Sequence, residues 1–189
     1  MIRDLVLKNR TYRRFYQDVA ISEAELLDWI DLARLTSTGA NLQQLRYVLS
    51  FTPEKNEEIF KELKWAAYLK DWDGPEEGEK PSAYIIMLSD NTISTNIYWN
   101  HGLACQSILL GAVEKGYGAC MFGSFNKNNL REKLRISDQY EILMVIALGK
   151  PKEVVVLDDI GADGDVKYWR DENGVHHVPK RKLEDLIIE

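Results

Sequence analysis

The chain has 189 residues, 45% of them hydrophobic and 29% charged, enough to bury a full core, and one domain over residues 1–189 is expected. A net charge of −6 weighs against nucleic acid as the main partner, because that binding needs a broad basic surface. Two cysteines, Cys105 and Cys120, are too few for a disulfide framework, lack paired zinc-site spacing, and read as small apolar fillers. The N-terminus has no apolar signal core and no window approaches a membrane span of about 18 apolar residues, so a cytoplasmic protein with no membrane partner is expected.

Ile2 to Lys8 predicts a short amphipathic helix that delivers the chain to Asn9-Arg10-Thr11-Tyr12-Arg13-Arg14-Phe15. Guanidiniums this close repel one another unless water or an anion separates them, and planar, permanently charged arginine suits a phosphate. Two readings stand: a grip on a ligand phosphate, or a solvated basic face.

Ser22 before Glu23 and Glu25, with Leu26, Leu27 and Ile30 following, predicts an N-capped helix ending near Leu35. The polar run Thr36 to Gln44 then leads to a strand over Tyr47 to Phe51. Such a loop either meets a polar ligand or is chosen only for its turn chemistry. Pro53 opens a helical stretch running to Leu69, and Asp71 to Pro81 is loop-like, while Trp65, Tyr68 and Trp72 read as core or lid packing. Tyr84 to Ser89 is a continuous apolar run and predicts a buried strand.

The longest helical pattern covers about Ser94 to Lys115, with a broad apolar face and a Gly116-Tyr117-Gly118 stop. A short apolar piece, Ala119 to Phe122, precedes the small-residue loop Gly123-Ser124-Phe125, and Asn126 caps a helix to about Ile136. Ile142 to Leu148 is a second buried strand. Beyond it, Tyr168 to Arg170 and Val175 to Val178 predict a hairpin around Asn173-Gly174, and Lys180, Arg181 and Lys182 form a second basic cluster. The adjacent His176 and His177 point to opposite faces of a strand, which argues against a shared metal, and no metal site is expected.

Taken together, Arg10-Thr11-x-Arg13-x-Phe15, the loop Thr38 to Gln43, the turn Gly116 to Gly118, the loop Gly123 to Phe125, the strand end Ala147 to Pro151 and the final basic segment resemble the FMN-dependent nitroreductases in content and order. The resemblance implies an α+β, three-layer sandwich, a mostly antiparallel central sheet flanked by helices, built as an intertwined homodimer with FMN at the subunit interface. It places Arg10, Thr11 and Arg13 on phosphate, ribityl chain and ring, and Thr38, Asn41 and Gln43 in a loop from the partner subunit. Backbone amides of Gly123 and Ser124 would face the flavin edge, and Lys180 and Lys182 would complete the phosphate site. Asn9 stands where the family often carries a further arginine, with Arg14 as a replacement.

The implied activity is an NAD(P)H-dependent flavin oxidoreductase. Hydride passes from NAD(P)H through flavin N5 to an electron-poor small-molecule acceptor, nitroaromatic or quinone-like, by a ping-pong route. No catalytic side chain is required, because the flavin carries the chemistry. The alternatives are a flavin-binding carrier or sensor without reductase turnover, or a dehydrogenase on the same scaffold.

Overall fold

The computed structural model describes residues 1–188. Its centre is an antiparallel sheet of β1 (Phe15–Tyr16), β2 (Leu45–Ser50), β3 (Ala83–Asp90), β4 (Gly118–Phe122) and β5 (Tyr140–Pro151). The long β5 pairs with β1, β3 and β4, and β2 closes one edge against β3. All eight residues of β3 are buried, the mark of a strand covered on both faces. Alternation then divides the core. Ala83, Ile85 and Met87 face a layer with α2 (Glu23–Arg34) and α4 (Asn100–Glu114). Tyr84, Ile86 and Leu88 face a layer with α3 (Pro53–Phe60) and α5 (Lys127–Lys133). The result is the α+β three-layer sandwich, with α1 (Ile2–Lys8) lying outside against α4.

Several boundaries follow local chemistry. Ser22 and Glu25 form the reciprocal capping box of α2, and Asn126 accepts from the Asn129 N–H at the start of α5. At the end of α4, Gly116 takes φ 79°, its N–H donates to Val113 and that of Tyr117 donates to Ala112. Together these bonds form a Schellman motif that no residue with a Cβ fits as easily. Cys105 and Cys120 are buried, and burial pushes both thiols up to about 12, so neither is a nucleophile at neutral pH.

Three expectations are corrected. Helix α3 stops at Phe60 rather than Leu69: Lys64 N–H donates to the Ser124 carbonyl, Leu63 bridges to Phe125 and Ala66 takes φ 32°. Pairing with the loop after β4 thus overrides the helical spacing. Helix α4 begins at Asn100 rather than Ser94, because Ser94 and Asn96 bond locally to the backbone ahead of them and Tyr98 takes φ 49°. The final hairpin, β7 (Trp169–Arg170) with β8 (His176–Lys180), turns through residues 171–175 with Gly174 alone at positive φ, not through a two-residue Asn-Gly turn. β8 also pairs in parallel with β6 (Val155–Asp159), giving a small second sheet. Among the described residues no helix is long and apolar enough to cross a membrane.

Candidate functional site

The arginine segment is fastened before any ligand is considered. Thr11 bridges to Ala119 on the edge strand β4, and the Tyr12 N–H donates to the Ala119 carbonyl at 3.0 Å. The backbone N–H groups of Arg13 and Arg14 both donate to the Glu153 carboxylate, which also accepts from Arg170 at 2.9 Å. Arg14 points away from its neighbours and makes a two-pronged pair with Glu79, 2.5 Å on each prong. Those bonds, reinforced by Lys152, hold the Glu79 carboxyl down at about 2. Arg14 is therefore neutralised, and the expectation that it replaces an arginine at Asn9 is not met.

Arg10 and Arg13 differ. They line a cavity of about 380 Å³ walled by Gln106 and Leu109 of α4, Ala119 and Met121 of β4, and His176, Val178 and Lys180 of β8. Thr11 and Asn9 lie on the same wall. Among the described residues the lining holds three cations, Arg10, Arg13 and Lys180, and no carboxylate, inside a chain whose net charge is negative. Arg10 donates from Nη2 to the Val6 carbonyl at 2.6 Å, while its Nε is buried with no partner. The Arg13 guanidinium sits 4.4 Å over the Tyr168 ring, with Nη1 3.0 Å from His176 Nε2. Neither partner is charged with the opposite sign. An anion is the chemical complement of this arrangement.

Of the predicted site residues, the structure brings Arg10, Thr11, Arg13 and Lys180 together and leaves the others outside this cavity. Lys182 lies past the end of β8, exposed. Gly123 and Ser124 follow β4, about 7 Å beyond Met121 on the strand line whose Ala119 and Met121 line the cavity. The Gly123 and Ser124 N–H groups donate to no described residue; Ser124 is tied instead through its carbonyl, which accepts from Lys64 N–H at 3.1 Å. Thr38, Asn41 and Gln43 sit at the other end of α4, since Gly39 N–H donates to Asn100 Oδ1 at 2.7 Å, about 9 Å along the helix from Gln106. Ala40, Asn41 and Gln43 all take φ near 50°, and Thr38 Oγ1 is buried without a partner. That concentration of left-handed backbone is held in place by the buried pair Asn100 and Gln44.

Four residues that sequence reasoning did not assign prove structurally central. Glu153 anchors the segment, Tyr168 and His176 hold Arg13, and Gln106 lines the cavity. The sequence presents His176 only as a metal-ligand candidate. Its separation from His177 onto the opposite face does hold: His177 stacks on Trp169 at 4.1 Å and bonds Asp158 at 2.7 Å. Nothing local in the sequence signals that residue 176 meets residue 13.

The model of the nitroreductase family matches residues 6–150, more than half of the chain. The chain belongs to the nitroreductase family. Its relatives include "Putative NAD(P)H nitroreductase YodC" of Bacillus subtilis (strain 168), 27% identical over 178 residues, covering 77% of this chain and 87% of that protein. Among solved structures, a nitroreductase family protein from Clostridium novyi NT aligns with a TM-score of 0.67 at 22% identity, covering 80% of this chain and 87% of that one. An FMN-dependent nitroreductase from Clostridium difficile R20291 aligns at 0.62 and 20% identity, covering 80% and 88%. These likenesses show the same fold. Tyr168, His176 and Lys180 of this nitroreductase-family chain lie beyond the matched span.

Proposed function

We propose that the protein is an FMN-dependent oxidoreductase that draws on NAD(P)H and reduces an electron-poor small molecule, nitroaromatic or quinone-like. The observation that carries this reading is the pair of Arg10, half-buried, and Arg13, buried, beside Lys180, with no carboxylate on either guanidinium among the described residues, in a chain of the nitroreductase family. A relative named as an NAD(P)H nitroreductase and a structural neighbour titled FMN-dependent support the choice of reductant and cofactor. The orphaned Arg10 Nε and the uncompensated Arg13 fit the phosphate of the cofactor.

When bound, FMN would supply the redox centre that accepts a hydride from NAD(P)H and passes two electrons to the acceptor in a ping-pong sequence. The chain's own tasks are then simpler. Arg10, Arg13 and Lys180 bind the phosphate; Thr11 and Gln106 offer polar contacts next to it. Ala119 and Met121 give the cavity floor an apolar surface. The amides of Gly123 and Ser124, without a partner among the described residues, would donate toward negative charge on the cofactor's edge.

A homodimer completes this reading. The loop of Thr38, Asn41 and Gln43 lies outside its own chain's arginine cavity, and large apolar side chains stand exposed around α4, Trp99 at 79% and Leu103 at 47%. Joining two chains would bury these groups and bring one subunit's strained loop to the other's cavity. The experiment is an absorption spectrum of the purified protein, followed by anaerobic mixing with NADH or NADPH, with light scattering for the mass. Flavin bands that bleach on mixing, in a particle of two chains, are expected. Bound flavin that neither nucleotide bleaches means a carrier or sensor, and a monomer removes the shared site.

A further inference from the structure

Arginine donates and never accepts, so the 3.0 Å contact from Arg13 Nη1 requires a lone pair on His176 Nε2. The imidazole is thereby neutral, with its proton on Nδ1, an atom that is buried and without a partner. The ring is wholly buried, its backbone N–H donates to the Val154 carbonyl at 2.8 Å, and β8 pairs it with Arg170. Its other neighbours are the Tyr168 ring at 5.2 Å and the cations Arg13 and Arg170, whose charges oppose protonation, while Glu153 is occupied by Arg170 and two backbone amides. Burial, then Arg13 and Arg170, push its pKa down to about 4. The contrast lies next door: Arg14 and Arg170, which do not bind the cavity, are each held by a carboxylate.

A carboxylate would fix Arg13 as firmly and cancel its charge. A neutral acceptor fixes it and leaves the charge whole. We infer that His176 is a positioning residue of the anion site, a neutral acceptor that, with the Tyr168 ring, aims Arg13 at the ligand phosphate without neutralising it. The inference rests on the FMN reading above.

The test compares His176→Gln, which keeps an acceptor, His176→Phe, which keeps a ring, and His176→Glu, which adds a charge. Dissociation constants for FMN and for riboflavin, which lacks the phosphate, are read from quenching of flavin fluorescence in protein stripped of cofactor, with thermal melts alongside. The Gln variant is expected within about threefold of wild type for FMN, the Phe variant about tenfold weaker and the Glu variant about a hundredfold weaker. Riboflavin binding should stay within about threefold throughout. Equal FMN affinity in the Glu variant, equal losses in Gln and Phe, or riboflavin falling in parallel would each overturn the role. If the Glu variant does not fold, the Gln and Phe pair decides. Wild-type protein that binds FMN no better than riboflavin overturns the phosphate reading itself, a result distinct from any variant's.

Discussion

Three arginines within five positions have two fates, and the difference is a carboxylate. Arg14 is paired with Glu79, whereas Arg10 and Arg13 face the cavity with no carboxylate partner among the described residues. The ion pair makes a stability device of Arg14. Arg14→Ala should cost about 1 to 3 kcal/mol at neutral pH, the range for charged hydrogen bonds with one partner left behind, while FMN affinity stays near wild type. The pH dependence has a definite sign. Glu79 titrates at about 2 in the folded chain against 4.5 unpaired, so its contribution is complete above 4.5 and disappears as pH falls toward 2. The melting-temperature gap between wild type and Arg14→Ala should therefore narrow over that interval; a constant gap would mean the pair does not act through charge. The sequence made the arginine cluster visible as a candidate grip but not its division of labour. Glu79 and Glu153, 65 and 139 residues distant from Arg14, settle that division, and contacts at such separations leave no local pattern.

Elements set by their own spacing and turn chemistry were legible, and those answering to a distant loop were not. The capping box at Ser22, the buried strands β3 and β5 and the stop at Gly116 all follow from spacing and turn chemistry. The stretch after Phe60 carries helical spacing, yet it is drawn into Trp65 packing against Phe122 at 4.7 Å and Trp72 at 6.0 Å, with Arg170 over Trp72 at 4.3 Å. Trp65 thus packs partly buried against the core and, through Trp72, reaches Arg170 of the second sheet, while Tyr68 stays exposed. Strand β1 is the shortest link between the arginine segment and the central sheet, and it pairs at the end of β5. A Cβ on Gly149 would stand 2.8 Å from Cγ and Cδ1 of the fully buried Phe15 and 2.9 Å from its Cβ, leaving no rotamer to yield. Gly149→Ala should destabilise by about 1 to 3 kcal/mol, measured by denaturant unfolding. An unchanged midpoint would show that β1 shifts freely and does not hold the segment.

At the scale of the whole molecule, the two sheets divide the work of building the cavity. The central sheet and α4 supply its apolar floor and one wall, and the small C-terminal sheet, outside the family match, closes it with His176, Val178 and Lys180. The N-terminal arginines stand between them, tied to both through Ala119 and Glu153. Family order was readable along the chain; the contribution of residues 153–180 was not, because it rests on tertiary contacts with the first fifteen residues. The proposed function depends on Arg10 and Arg13 gripping a phosphate. Its most direct test is titration of cofactor-free protein with FMN, wild type beside the Arg10→Ala, Arg13→Ala double variant, with melts to confirm folding. Tight binding by wild type and a loss of about a hundredfold or more in the folded double variant are predicted, from about 1.5 to 3 kcal/mol per charged contact. Equal FMN affinity in the two proteins would contradict the account.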